Sequence, residues 1–185
     1  MAEMARIVLL NGAGSAGKSS IARALQAIAG GPFLHVQMDG FLAMLPAAHQ
    51  DHPDAFAFDA GVEDGCPVVD IRSGPLGERL MRGMRRSVAA LAEAGNDLIV
   101  DDVMLGDEMA DYDALLTGFR VFKVGVFAPL DVLERREQAR GDRLIGLARR
   151  QVDRVHAGRA YDLVVDSAAL TAAECAERIK ERFGL

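Results

Sequence analysis

The apolar run Arg6-Ile7-Val8-Leu9-Leu10 leads, through Asn11, into Gly12-Ala13-Gly14-Ser15-Ala16-Gly17-Lys18-Ser19, and an amphipathic segment begins near Ser20. Few architectures accommodate that order. Glycines let the chain fold back tightly, so successive backbone N–H groups converge on one point while the next helix directs its positive dipole end there. Spelling and context together match a nucleotide-phosphate loop. In that reading the segment from Gly12 to Ser20 cradles the phosphates, Lys18 reaches the β- and γ-phosphates, and Ser19 ligates Mg²⁺. A Gly/Ala/Ser turn that happens to precede a helix is the competing reading, but all four specified positions are filled here.

The rest of the chain alternates strands and helices. Ile7 to Leu10 is a nearly continuous apolar strand, as expected inside a parallel sheet covered on both faces. Ile21, Ala24, Leu25 and Ile28 recur at helical spacing, and Gly30-Gly31-Pro32 stops that helix before a strand over Phe33 to Met38. A short helix over Phe41 to Leu45 ends at Pro46. Phe56 to Phe58 and Val68 to Ile71 read as a small hairpin around a loop holding Asp59, Gly61, Asp64 and Gly65. Leu76, Leu80, Met84, Val88 and Leu91 form the stripe of a long helix, and a strand over Asp97 to Val100 runs into Asp101-Asp102. Val121 to Phe127 is the next strand, Pro129 opens a helix that Gly141 interrupts, and Tyr161 to Val165 is the last strand. Thr171 with Glu174 makes a capping box for the final helix.

This alternation predicts an α/β fold: five main parallel strands in an open sheet, in a three-layer α/β/α sandwich. A chain of 185 residues, half of them hydrophobic, suits one domain spanning residues 1–185, with an acceptor-binding insert at about 41–73 and an arginine-rich lid at about 136–150. Ligands of such sheets sit outside the carboxyl ends of the strands, where Gly12, Asp39, Asp101 and Asp102 converge.

A formal charge of −6 argues against nucleic acid as the partner, because that affinity rests on neutralising phosphates. Eight arginines between Arg135 and Arg159 suit a compact anion such as ATP instead, unless they simply coat a solvated helix. Cys66 and Cys175 lie far apart and read as reduced thiols, and the four histidines lack a zinc-type grouping. The N-terminal segment is too short and polar for a signal peptide, and no apolar run reaches membrane-spanning length. The expectation is a cytoplasmic protein without a membrane partner, monomeric or homodimeric.

Phosphoryl transfer to an alcohol needs a metal anchor, a group to take the hydroxyl proton, and positive charge near the migrating phosphoryl. Asp101 and Asp102 both qualify as Mg²⁺ supports, since adjacent strand residues point to opposite faces and sequence does not rank them. Asp39, placed at the end of the second strand, is the candidate base; a turn-stabilising aspartate is the alternative. Arg140, beside Gly141, is the first choice for a closing guanidinium, followed by Arg136 as a second catalytic arginine and by Arg143 on the nucleotide.

With these residues in place, the chain resembles the chloramphenicol phosphotransferase family of small P-loop kinases. Leu9-Leu10-Asn11-Gly12 with Ser15-Ala16-Gly17-Lys18-Ser19, Asp39, Ile99-Val100-Asp101-Asp102-Val103 with Leu105-Gly106, and Ala139-Arg140-Gly141-Asp142-Arg143 carry the likeness, with Tyr161-Asp162 as a further match. The resemblance implies ATP-dependent transfer of a γ-phosphoryl group to a hydroxyl of a small molecule, with Asp39 matching the family's catalytic base. The namesake's acceptor is a primary hydroxyl of chloramphenicol. The stretch Pro46 to Pro53, with His49 and His52, does not align to the namesake, so the resemblance carries kinase chemistry further than the acceptor. A nucleoside or metabolite kinase on the same fold and a non-kinase nucleotide switch are the alternatives.

Overall fold

The computed structural model describes residues 4–141 and 144–185. Its centre is β1 (Arg6–Asn11), flanked by β5 (Asp97–Asp102) and β6 (Arg120–Phe127), with β2 (Phe33–Gln37) outside β5 and β7 (Leu163–Asp166) outside β6. All four pairings are parallel. β1 is central because each of its faces is apolar: Val8 and Leu10 join one core cluster, Ile7 and Leu9 the other, as a period-two backbone requires. The first cluster takes in α1 (Lys18–Ile28) and α7 (Ala172–Phe183), the second α3 (Pro75–Glu93) and α4 (Glu108–Leu115). The chain is thus a three-layer α/β/α sandwich with a five-stranded parallel sheet, and α7 starts at the expected Thr171–Glu174 capping box.

Four local readings change. β2 ends at Gln37, and α2 (Met38–Leu42) begins at once, so Asp39 lies in a helical first turn rather than at a strand end. The hairpin is longer than its apolar residues indicate: β3 (Phe56–Glu63) pairs with β4 (Cys66–Ser73) along its whole length. Asp64 and Gly65 both take positive φ, 50° and 76°, as a two-residue type I′ turn demands. The amphipathic signal of α4 is faint, and its helix was not anticipated. After α5 (Leu130–Arg140), Gly141 caps the helix with φ 68°, and a short α6 (Leu147–Gln151) follows.

The hairpin lies outside the main sheet and is fastened to α6. The Val69 N–H donates to the Gly146 carbonyl at 3.2 Å, and the Arg150 guanidinium bridges Glu63 at 2.5 Å and Asp70 at 3.0 Å. Buried Glu137 of α5 anchors the start of α6, accepting from the N–H groups of Gly146 (2.7 Å) and Ala148 (3.1 Å). Gly146 itself has φ 107°, and a Cβ there would lie 2.7 Å from the Pro67 carbonyl. Gly146→Ala should therefore destabilise the protein by about 1–3 kcal/mol from backbone strain alone. Equilibrium urea unfolding reads that loss, and an unchanged midpoint would mean the hairpin is not seated against this glycine.

Candidate active site

Close approach of backbone dictates the composition of the loop after β1. A Cβ on Gly12 would sit 2.5 Å from the Val126 carbonyl of β6, and Gly17 takes φ 88° as the N-cap of α1, a conformation that L side chains pay for. Ser15 holds φ 62° without being glycine, and its hydroxyl is buried without a hydrogen-bond partner. Local strain beside an orphaned hydroxyl suits a cradle completed by its ligand. Lys18 folds across the loop and donates to the carbonyls of Gly12 at 2.9 Å and Ala13 at 3.0 Å.

Asp101 closes one side of this loop. Its carboxylate accepts from the Ser19 hydroxyl at 2.5 Å, stands 3.8 Å from the Lys18 ammonium and is faced by His35 Nε2 of β2 at 3.7 Å. The Gln37 side-chain amide lies 3.0 Å from His35 Nδ1, and His35 Nε2 is buried with no hydrogen-bond partner of its own among the described residues. Burial pushes the Asp101 carboxyl up, but His35, Lys18 and Ser19 together outweigh it and hold the group below the ordinary aspartate range.

Asp102 faces the opposite side of β5. It accepts from the Val103 N–H at 2.8 Å and the Tyr112 hydroxyl at 3.0 Å, and burial raises its carboxyl despite both bonds. The two aspartates, equivalent in sequence, therefore serve different spaces. Asp101 lines a cavity of about 410 Å³ with Gly14, Ser15, Gly17, Lys18, Ser19 and Ser20. Asp102 lines a cleft of about 870 Å³ between α2, the hairpin, α3 and α6.

That cleft is apolar along Leu42, Phe56, Phe58, Ile71 and Leu147. Its charged wall includes Arg85, buried and paired with Asp111 at 3.0 Å, and Arg82, paired with Glu78 at 3.8 Å. Five residues border both spaces: Gly14, Met38, Asp39, Val103 and Arg140. Gly12, Ala13 and Ala16 are buried and line neither, but Ala13 and Ala16 border a separate cavity of about 350 Å³ on the other side of the loop, with Phe127, Val152 and His156. Arg136 lines neither space; it donates to the Ser167 hydroxyl at 3.0 Å and carbonyl at 2.6 Å, with its guanidinium beside the loop at Gly17, 4.0 Å from where a Cβ would stand. Arg143 falls outside the described residues.

The family model described as chloramphenicol phosphotransferase-like protein matches residues 5–184. The chain belongs to this chloramphenicol phosphotransferase-like family. It is 33% identical over 184 residues to a Mycobacterium tuberculosis protein named "Putative O-phosphotransferase Rv2636", covering 96% of this chain and 82% of that one. The fold is shared with P-loop kinases. The Mycobacterium tuberculosis APS kinase CysC, solved with AMPPNP and APS, superposes with TM-score 0.67 at 16% identity, covering 98% and 99% of the two chains. A tunicamycin resistance protein of Deinococcus radiodurans gives TM-score 0.64 at 17% identity, covering 98% and 96%. The chain is thus a phosphotransferase of the kinase type.

Sequence reading assigned no structural part to Asn11 and none at all to the network beneath the phosphate loop. Asn11 is fully buried, accepts from the Met104 N–H at 2.9 Å, and donates to the Val155 carbonyl and the Tyr161 hydroxyl, each at 2.8 Å. Tyr161 reaches His156 Nδ1 at 2.8 Å, and the His156 ring stacks on Phe127 at 3.6 Å between centroids. A polar residue closing an apolar strand was the available signal; its partners come from distant segments.

Burial, aided by the Lys18 and Arg159 charges, lowers His156 to about 4 from 6.5. Between those values the unfolded chain binds a proton that the native state refuses, so stability falls as pH drops through this window. The urea midpoint should decline from pH 6.5 towards 4, and His156→Phe should flatten that decline. A His156 imidazole that titrates near 6.5 by NMR would remove the effect.

Proposed function

We propose that the chain is a Mg²⁺- and ATP-dependent O-phosphotransferase that moves the γ-phosphoryl group onto a hydroxyl of a small molecule held in the larger cleft. The observation that carries this reading is the junction itself: one carboxylate, Asp39, and one guanidinium, Arg140, border both the loop cavity and the cleft. A transferred group has to cross such a boundary. The name of the Mycobacterium tuberculosis relative and the AMPPNP of the APS kinase neighbour support the same chemistry.

The residues present fit both implied ligands. The orphaned Ser15 hydroxyl, the Lys18 ammonium and the amides ahead of α1 suit a triphosphate. Ser19 and Asp101 supply two hard oxygens 2.5 Å apart, and among the described residues no larger cluster of metal-type side chains exists. That donor set suits Mg²⁺, which takes few protein ligands and completes its shell with phosphate oxygens and water. Bound together, Mg²⁺ and ATP supply the transferable phosphoryl group and neutralise its charge.

In this reading Asp101, rather than Asp102, supports the metal, with His35 fixing the carboxylate. Asp39 takes the proton of the acceptor hydroxyl, and Arg140 stabilises charge spreading over the migrating group. Segment 41–73 with its hairpin, and the described part of the 136–150 region through Glu137, Arg140, Leu144 and Leu147, form the acceptor wall and its lid. The cleft's aromatic and aliphatic side suits an acceptor with an apolar portion, which makes chloramphenicol one compound to try.

The test is incubation with Mg·ATP and a panel of hydroxylated compounds, chloramphenicol included, with mass spectrometry for a product carrying one added phosphoryl group. Asp39→Asn should lower transfer by roughly 10²–10⁴-fold while leaving ATP affinity largely intact. Wild-type turnover in that variant would remove Asp39 from the chemistry. Lys18→Ala should instead weaken nucleotide binding itself, read by calorimetry. ATP consumption indifferent to every added alcohol would favour a nucleotide switch.

A further inference from the structure

One side chain crosses from the wall of the larger cleft to the phosphate loop. Gln151, the last residue of α6, is buried and accepts from the Gly14 N–H through Oε1 at 2.7 Å. A backbone N–H pairs only with the oxygen of that carboxamide, so its orientation is fixed. Gly14 borders both the loop cavity and the cleft, and Gln151 lines the cleft.

The same five-residue helix is fastened to the hairpin at its other face. Val69 donates to the carbonyl of Gly146, and Arg150, one residue before Gln151, bridges Glu63 and Asp70 on the two hairpin strands. Beyond Gln151 the next turn continues the attachment, because the Val155 carbonyl receives the Asn11 amide at the loop's entry. A path of direct bonds therefore runs from the hairpin through α6 to both the start and the crest of the phosphate loop.

We propose that Gln151 is a positioning residue that makes the hairpin and the phosphate loop one mechanical unit, so that nucleotide bound by the loop tightens the hairpin wall of the cleft. Ordering at one site is then felt at the other, and by linkage an acceptor seated against the hairpin strengthens nucleotide binding to the same degree. The inference rests on the nucleotide reading of the loop but not on the identity of the acceptor. Gln151 acts through Gly14 and not on a reacting atom.

The experiment combines calorimetry with hydrogen exchange, using Mg²⁺ and AMPPNP on the full chain. In the wild type, AMPPNP should slow exchange of the 56–73 amides by about tenfold, within the usual range of coupling between sites. Gln151→Met keeps length and removes the acceptor oxygen; it should bind AMPPNP within about threefold of wild type but lose most of the hairpin protection, the Asn11–Val155 bond alone remaining of the path. Gln151→Glu retains an acceptor oxygen and should recover the protection at saturating nucleotide. The pair Glu63→Gln with Asp70→Asn removes the Arg150 bridges, leaving only the Val69–Gly146 bond between hairpin and α6 among the described residues, and should cut the protection by more than half without touching the loop, which also covers the case of a poorly folded Gln151→Met. Absence of AMPPNP binding by folded wild type would overturn this proposal and the functional reading together. Binding without hairpin protection, or protection that persists in Gln151→Met and in the hairpin pair, would overturn this proposal alone.

Discussion

The position of the whole site hangs on one buried carboxamide. Asn11 ends the central strand, and its side chain is the meeting point of three segments: the Met104 N–H after β5, the Val155 carbonyl after α6, and the Tyr161 hydroxyl before β7. A buried amide of this kind is costly when any partner is missing and specific when all are present. It fixes where β1 stops and the glycine-rich loop starts, in a region where neighbouring apolar contacts would tolerate small slides. Tyr161 meets the stacked Phe127–His156 pair edge-on beside that amide, and burial favours the neutral His156 imidazole.

From that fixed point the parallel sheet does the sorting. Asn11 lies beside Asp102 and Leu10 beside Asp101 in register, and Gln37 of β2 aligns with Asp101 on its other edge. Alternation along β5 then gives two adjacent carboxylates different surroundings. Asp101 enters a cluster of cation, hydroxyl and imidazole that holds it ionised, while Asp102 is sealed with Tyr112 where burial favours its neutral form. The charge that would meet a polyphosphate and its metal is kept apart from the wall of the larger cleft by the thickness of one strand.

The glycine spacing, the apolar strands and the two terminal helices were legible in the sequence because each is a local pattern with a local cause. Phosphate-loop glycines, a Thr171–Glu174 cap and a continuous apolar β1 need no partner to be recognised. Asp101 against Asp102 was not resolvable, because the choice depends on which face of β5 meets α1. His35 and Gln151 were passed over for the same reason: each acquires a role only through a residue 66 or 137 positions away in the chain. The hairpin was underestimated where its strands carry Asp59, Gly61 and Glu63, which face solvent and lack an apolar signature. Asp39 stood out in the sequence as a lone carboxylate after an apolar strand, but its place in the first turn of α2 did not.

The two halves of the site are built from different materials, and this bears on how such a scaffold changes substrate. The phosphate half consists of backbone amides, a required glycine at Gly12 and charges set at strand ends, so a substitution there disturbs the sheet or the loop itself. The cleft half is made of side chains from α2, the hairpin, α3 and α6, with Phe56 and Phe58 on a two-stranded sheet that shares no ladder with the main one. Those side chains can change without altering the register of β1 or the seat of the phosphates. The polar fastening through Arg150 and Gln151 leaves that freedom intact, since it engages hairpin carboxylates and backbone rather than the aromatic residues that contact the cleft. On the proposed reading, a scaffold so divided would keep its phosphoryl chemistry constant while the wall of the larger cleft varied.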